Sequence, residues 1–291
     1  MFLIVNDFSI NRKFNDLEDF FREVKMNFIP MLIHIKRLKV SILKSYDTYS
    51  RYVTENDQLA DVLQIKGDAE ITALKSYLVS VFYEEPYWND DIKTNCKNQY
   101  YCKYTNKVPN CMTEALERKC SLLSFPNNNF YKANLIVNKN NMEIVVFNSF
   151  NSISLLDYLY KHRIINETYY IEHFFGSINV RFCIISGHNY TQDFFEENDI
   201  AFTDRQKIVN NMKDLIVHIV EKTEAGKLVK SLGDGIWELR SDISDKRISR
   251  VFYALTSDGM IFLNGFIKKT QKTPKSELDQ AKSLLKKLLT N

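Results

Sequence analysis

Apolar positions along the first 65 residues recur mainly at helix spacing. Leu17, Phe20, Phe21 and Val24 share one side, and the stretch is expected to be mostly helical. A better-defined helix starts near Asp68, a residue suited to cap it, and carries Ile71, Leu74, Leu78, Val81 and Phe82 along one face until Pro86 approaches. Residues 113–120 are predicted to be helical. Residues 135–137 and 144–147 flank an Asn-rich turn at 138–141 and predict a hairpin. A short helix is expected over 154–160. From about residue 178 the pattern sharpens. Residues 178–186 are an apolar strand, and Thr203-Asp204-Arg205-Gln206 has the Thr-x-x-Gln form of a capping box. It opens a helix with Ile208, Met212, Leu215, Ile216 and Ile219 on one face. Strands are predicted at 233–243 and 248–255, and Asp258-Gly259 makes a two-residue turn into a third at 260–267. Pro274 sits just inside a final amphipathic helix that turns Leu278, Ala281, Leu285 and Leu288 inward. The order near the C-terminus is strand, helices, three antiparallel strands, helix. The fold class is α+β, with a mixed, largely helical N-terminal part containing one β-hairpin.

Length agrees with two domains: 291 residues exceed one small domain, and the pattern divides them into 1–175 and 176–291. With 8 Gly, 5 Pro and no low-complexity tract, no flexible linker separates the halves. The net charge of +3 hides an uneven distribution. Residues 225–291 hold 13 Lys and Arg against 7 Asp and Glu, so the rest of the chain is slightly acidic. A basic end on an acidic body suits a polyanionic partner, although a solvated lysine face on the last helix would give the same count. No secretory signal pattern opens the chain, and the apolar stretch at 27–43 is broken by His34, Lys36, Arg37 and Lys39, so neither secretion nor a membrane span is expected. Five cysteines in such a chain fit reduced thiols and a cytoplasmic location.

Several features suggest chemistry that their spacing does not support. Cys96, Cys102, Cys111 and Cys120 are separated by gaps of five, eight and eight residues, wider than the paired spacing of structural zinc sites. The histidines (His34, His162, His173, His188 and His218) form no His-Glu-x-x-His pattern, and Glu84, Glu85, Asp90 and Asp91 read as solvated acids at a helix end. No glycine-rich phosphate loop is present. No metal or cofactor is expected.

The basic end does carry a coherent set. Strand alternation puts Ile236, Glu238 and Arg240 on one face, with Trp237 and Leu239 on the other. On the next strand Ile248, Arg250 and Phe252 share a face. If the register matches, Glu238, Arg240 and Arg250 project together, with Lys268 and Lys269 following the third strand and Lys246, Arg247, Lys272 and Lys275 nearby as RNA contacts. A carboxylate beside several cations is a kit for attack by a ribose 2′-hydroxyl on the adjacent phosphate. Glu238 would orient or deprotonate the hydroxyl while Arg240, Arg250, Lys268 and Lys269 stabilise the phosphorane. The plain alternative is a set of cross-strand ion pairs on an exposed hairpin. Trp237, Tyr253 and Phe266 read as core.

The run LGDGIWELRSDISDKRISRVFYALTSDGMIFLNGFIKKTQKTP (residues 232–274), with its Trp, Glu-x-Arg, Arg-x-x-Tyr and Gly-Phe-x-Lys-Lys in order, resembles the RelE/ParE toxin superfamily, closest to its phage-derived, HigB-like branch. The resemblance covers about residues 176–291. It implies an antiparallel sheet with a helical hairpin and a C-terminal helix. It also implies metal-free cleavage of mRNA in the ribosomal decoding site, and an antitoxin encoded nearby. Arg250 matches the family's arginine in Arg-x-x-Tyr, and Lys268 and Lys269 fall where its last catalytic cluster begins. Several members use a His or Tyr after that strand, whereas this chain has Ile267-Lys268-Lys269-Thr270, which leaves the general acid open. A ParE-like inhibitor of DNA gyrase and a non-catalytic binding module remain alternatives, since fold does not fix function. Residues 1–175 resemble no family and are expected to sense a trigger or restrain the toxin end, as phage defence by abortive infection would require. Oligomeric state is left open.

Overall fold

The computed structural model describes residues 2–83, 86–88, 100–102, 110–174, 179–268 and 273–290. It is α+β and divides into two compact units, Met1–Tyr158 and Leu159–Asn291. Among the described residues no helix is long and apolar enough to cross a membrane.

The first unit is built on six strands: β1 (Phe2–Val5), β2 (Ser41–Leu43), β3 (Tyr100–Cys102), β4 (Ser121–Leu123), β5 (Asn134–Lys139) and β6 (Met142–Ser149). They lie in the order β2-β1-β4-β6-β5-β3. β1 is parallel to β2 and β4, β4 is parallel to β6, and β5 is antiparallel to β6 and β3. Helices α1 (Leu17–Glu23), α2 (Ile29–Arg37), α3 (Leu59–Gln64), α4 (Ala69–Phe82), α5 (Asn110–Glu117) and α6 (Ser152–Lys161) accompany them. A mixed, largely helical N-terminal part with one β-hairpin was expected; the β5–β6 hairpin belongs to this six-stranded sheet, which the helices accompany. Leu3, Ile4 and Val5 are fully buried, so β1 is a short unbroken apolar run with none of the alternation that marks a half-exposed strand. Two expectations here follow the structure closely. The Asp68 side chain accepts the Ile71 amide at 2.9 Å and caps α4. Asn140 and Asn141 both adopt positive φ, 50° and 65°, which closes the β5–β6 hairpin in the twist its strands require.

The second unit comprises α7 (Glu167–Phe174), β7 (Val180–Phe182), β8 (Ile184–Ile185), β9 (His188–Asn189), α8 (Tyr190–Glu197), α9 (Phe202–Glu221), β10 (Val229–Gly233), β11 (Ile236–Asp242), β12 (Ile248–Thr256), β13 (Gly259–Lys268) and α10 (Lys275–Thr290). α7 packs with α9 and β7, and so belongs to this unit although it precedes residue 176. The sheet runs β10-β11-β12-β13-β7, antiparallel through β13, with β7 parallel to β13.

Three local readings change. The strand expected at 233–243 is the second arm of a hairpin, turned at Asp234 and Gly235 with φ of 52° and 75°, so four antiparallel strands replace three. The strand expected over 178–186 ends at Phe182 in the described residues, and the chain then forms the small β8–β9 hairpin. α9 starts at Phe202 with no side-chain cap. Its Asp204 instead accepts the Ser244 amide at 3.1 Å and the Ser244 hydroxyl, which ties the helix to the β11–β12 turn.

The unit's core joins Ile236, Phe252, Ile261, Leu263 and Phe266 of the sheet to Ala281 and Leu284 of α10. Strand alternation puts Ile236 and Phe252 on the same face as Glu238, Arg240 and Arg250. The C-terminal helix therefore covers the apolar end of that face and leaves the charged end. Gly259 holds the other end of β13. Its φ is 131°, and a Cβ there would lie 2.1 Å from the Asn179 carbonyl oxygen, the acceptor of the Met260 amide. Gly259→Ala should lower stability by more than about 1 kcal/mol, read as a reduced urea midpoint with an unchanged slope.

Candidate functional site

The antiparallel register brings the strand cations together. Arg240 of β11 pairs directly with Arg250 of β12, Arg250 with Phe266 of β13, and one row further Asp242, Ile248 and Lys268 align across the same three strands. Two like charges opposite each other would repel. The Glu238 carboxylate offsets that repulsion. It is fully buried, accepts Arg240 Nε at 2.8 Å through one oxygen and Arg250 at 2.6 Å through the other, and accepts the Thr273 hydroxyl at 2.9 Å. Thr273 in turn accepts a second hydrogen bond from Arg250, at 2.7 Å. Burial alone would push the Glu238 carboxyl up, but the hydrogen bonds from Arg240, Arg250 and Thr273 outweigh it and hold the group below its usual range.

This geometry revises the part expected of Glu238. A carboxylate with no exposed surface and both oxygens taken by arginine cannot receive a proton from a ribose. It orients the arginines. Arg250 is itself only 4% exposed, and its Nε is buried with no hydrogen-bond partner among the described residues, so part of its donor capacity is unspent.

Arg240, Arg250 and Lys268 line an open groove of about 650 Å³. Asp242, Ile248, Leu228 and Lys227 continue its wall, and Lys207, Asn210 and Asn211 of α9 complete it. Asn211 donates to the Ser241 hydroxyl at 2.8 Å, which fixes the helix against the end of β11. Lys207 is held by Asp204 at 3.0 Å while staying half exposed. Burial raises the Asp204 carboxyl, and the stronger opposing effect of Ser244 and Lys207 leaves it lowered. Five cations thus face one groove that contains one carboxylate among its described lining residues.

Lys246 and Arg247 lie in the β11–β12 turn, where Arg247 pairs with Asp245 at 3.9 Å, and Lys275 is exposed at the start of α10. None of the three is among the groove's lining residues. Lys269 and Lys272 lie outside the described residues. Sequence reasoning missed Lys207, Asn210, Asn211, Lys227, Asp242 and Thr273. The only available signal was weak: Thr273 stands just before Pro274, where a helix cap is expected.

Residues 202–286 match the family model described as phage derived protein Gp49-like (DUF891). That family is of the RelE-like toxin type. The match spans α9, the four antiparallel strands and most of α10, and therefore the whole groove. No curated protein matches the chain.

Tyr253 is buried, which pushes its hydroxyl up to about 12, and stacks with Trp237 on the opposite face, so it supplies no acid to the groove. Of the clustered cysteines, Cys111 is buried in the first unit's core, Cys120 is half-buried, Cys102 lies in β3, and Cys96 is outside the described residues. Glu84, Glu85, Asp90 and Asp91 are also outside them. Among the described residues no group of three or more His, Cys, Asp or Glu is placed to hold a metal ion.

Proposed function

We propose that this chain is a HigB-like toxin of a type II toxin–antitoxin or abortive-infection system, an endoribonuclease that cuts mRNA on the ribosome. The observation that carries the reading is the groove: an Arg240–Arg250 pair stiffened from beneath by a buried carboxylate, facing the same space as Lys207, Lys227 and Lys268. A pre-oriented guanidinium pair costs no reorganisation as negative charge builds on a phosphorane. Outlying lysines add salt-dependent attraction to the neighbouring phosphates. The partners of this reading are the mRNA and ribosome and an antitoxin encoded nearby. No cofactor takes part, and the site of action is the cytoplasm. Residues 1–175 have the role of sensor or restraint.

Expression of the wild type and of Arg240→Ala/Arg250→Ala in cells, with transcript ends mapped and gyrase supercoiling assayed in parallel, tests it. The wild type is expected to generate new transcript ends and the double variant to leave transcripts intact. Intact transcripts with blocked supercoiling would instead assign a gyrase inhibitor. Growth arrest with neither would move the activity to residues 1–175.

A further inference from the structure

With both oxygens of Glu238 held by arginine, cleavage by a 2′-hydroxyl needs another proton acceptor. The carboxylate among the groove's described lining residues is Asp242, which is exposed, and whose side chain has no hydrogen bond or ion pair among the described residues. Resting on the reading above, we infer that Asp242 and Lys268 act as an in-line acid–base pair, Asp242 taking the proton from the 2′-hydroxyl and Lys268 giving one to the leaving 5′-oxygen.

The register carries the argument. Asp242 is opposite Ile248, and Ile248 is opposite Lys268, so the carboxylate and the ammonium stand on one face with a single strand between them. Two strand spacings amount to ~10 Å. An in-line displacement puts the attacking and leaving oxygens on opposite sides of phosphorus, each with its proton partner a further ~3 Å out. Ile248 gives that axis an apolar floor. The Arg240–Arg250 row lies two residues along the same strands, ~7 Å away, within reach of the equatorial oxygens for long side chains. Lys227 and Lys207 face the groove from beyond the strands, Lys207 already partnered by Asp204.

The step balances without a co-reactant. The 2′-O–H proton moves to the Asp242 carboxylate as the 2′-oxygen bonds to phosphorus. The P–O5′ bond breaks, and its electron pair takes a proton from the Lys268 ammonium. The products are a 2′,3′-cyclic phosphate and a 5′-hydroxyl, and exchange with water resets both side chains.

The test uses the purified full chain, programmed ribosomes and a synthetic mRNA with either oxygen or a single bridging sulfur at the 5′ position of the cut. Asp242→Asn and Lys268→Met should each slow single-turnover cleavage of the oxygen substrate about 10²-fold. A thiolate leaves without a proton, so the sulfur substrate should return Lys268→Met to within a few-fold of the wild type and leave Asp242→Asn slow. Asp242→Glu should keep most of the rate. Unchanged melting temperatures separate these losses from misfolding. Wild-type cleavage by Asp242→Asn, or a Lys268→Met defect that sulfur does not relieve, overturns the pair and leaves the ribonuclease reading standing. Absence of cleavage by the wild type removes that reading and the pair with it.

Discussion

Glu238→Ala is expected to cost the second unit about 3–5 kcal/mol, because it strands Arg250 as a buried charge with no carboxylate beside it. For a unit of this size that is a fall of about 10–20 °C in melting temperature. The loss comes from the uncompensated cation more than from the deleted contact, so removing both partners should hurt less than removing one. Glu238→Leu/Arg250→Met is accordingly predicted to melt above Glu238→Ala, with a coupling visible in the double-mutant cycle. The pH dependence has a definite sign. The Glu238 carboxyl is held below its ordinary value of 4.5 in the fold, so its stabilisation is complete above that pH and is lost as pH falls through the lowered native value. Asp204 acts in the same direction from its ordinary value of 3.8. The wild type should therefore lose stability steeply in acid, and Glu238→Gln should show a shallower loss with the Asp204 part remaining. A Glu238→Ala variant within about 1 kcal/mol of the wild type would show that the buried cluster does not hold this face together.

Arg250→Lys should leave a folded protein with cleavage reduced about 10²–10³-fold. Charge is preserved in this variant and an ammonium can still meet Glu238, so stability should change far less than in Glu238→Ala. What is lost is the planar fork. Arg250 directs one nitrogen to both Glu238 and Thr273 and keeps a buried Nε without a partner, an arrangement that fixes the plane of the guanidinium before any substrate arrives. Lysine presents a compact, strongly hydrated point charge on a flexible stem and cannot reproduce that plane. Single-turnover cleavage on programmed ribosomes measures the rate, and thermal melting confirms the fold. A rate within threefold of the wild type would mean that charge alone suffices and that the orientation by Glu238 is incidental.

Legibility varied with the physics behind each element. The β12–β13 hairpin was foreseen one residue out of place: its two-residue turn is Ser257-Asp258, and Gly259, at φ 131°, already pairs with Thr256, whereas Asn140-Asn141 supplies the backbone conformation that the β5–β6 turn demands. Asp234-Gly235 carried the same signal but was absorbed into the single strand predicted at 233–243. Buried parallel strands such as β1 escaped a reading based on periodicity, since both of their faces are covered and nothing alternates. The capping box failed for a different reason. α9 begins at Phe202, so Thr203 lies inside the helix instead of at its cap.

The sequence by itself determined the α+β class, the order of strands and helices in the basic end, and the common face of Glu238 and Arg240, because period-two alternation and turn chemistry are local properties of the chain. Only the tertiary structure decided what those residues do to one another. Register set Arg240 against Arg250 and Asp242 in line with Lys268, burial turned Glu238 from a candidate base into the anchor of the arginines, and packing of α9 on β11 added Lys207, Asn210 and Asn211 to the groove. Exposure and long-range pairing belong to the folded chain as a whole. A carboxylate reads identically in sequence whether it ends at the surface of a groove, as Asp242 does, or beneath it, as Glu238 does.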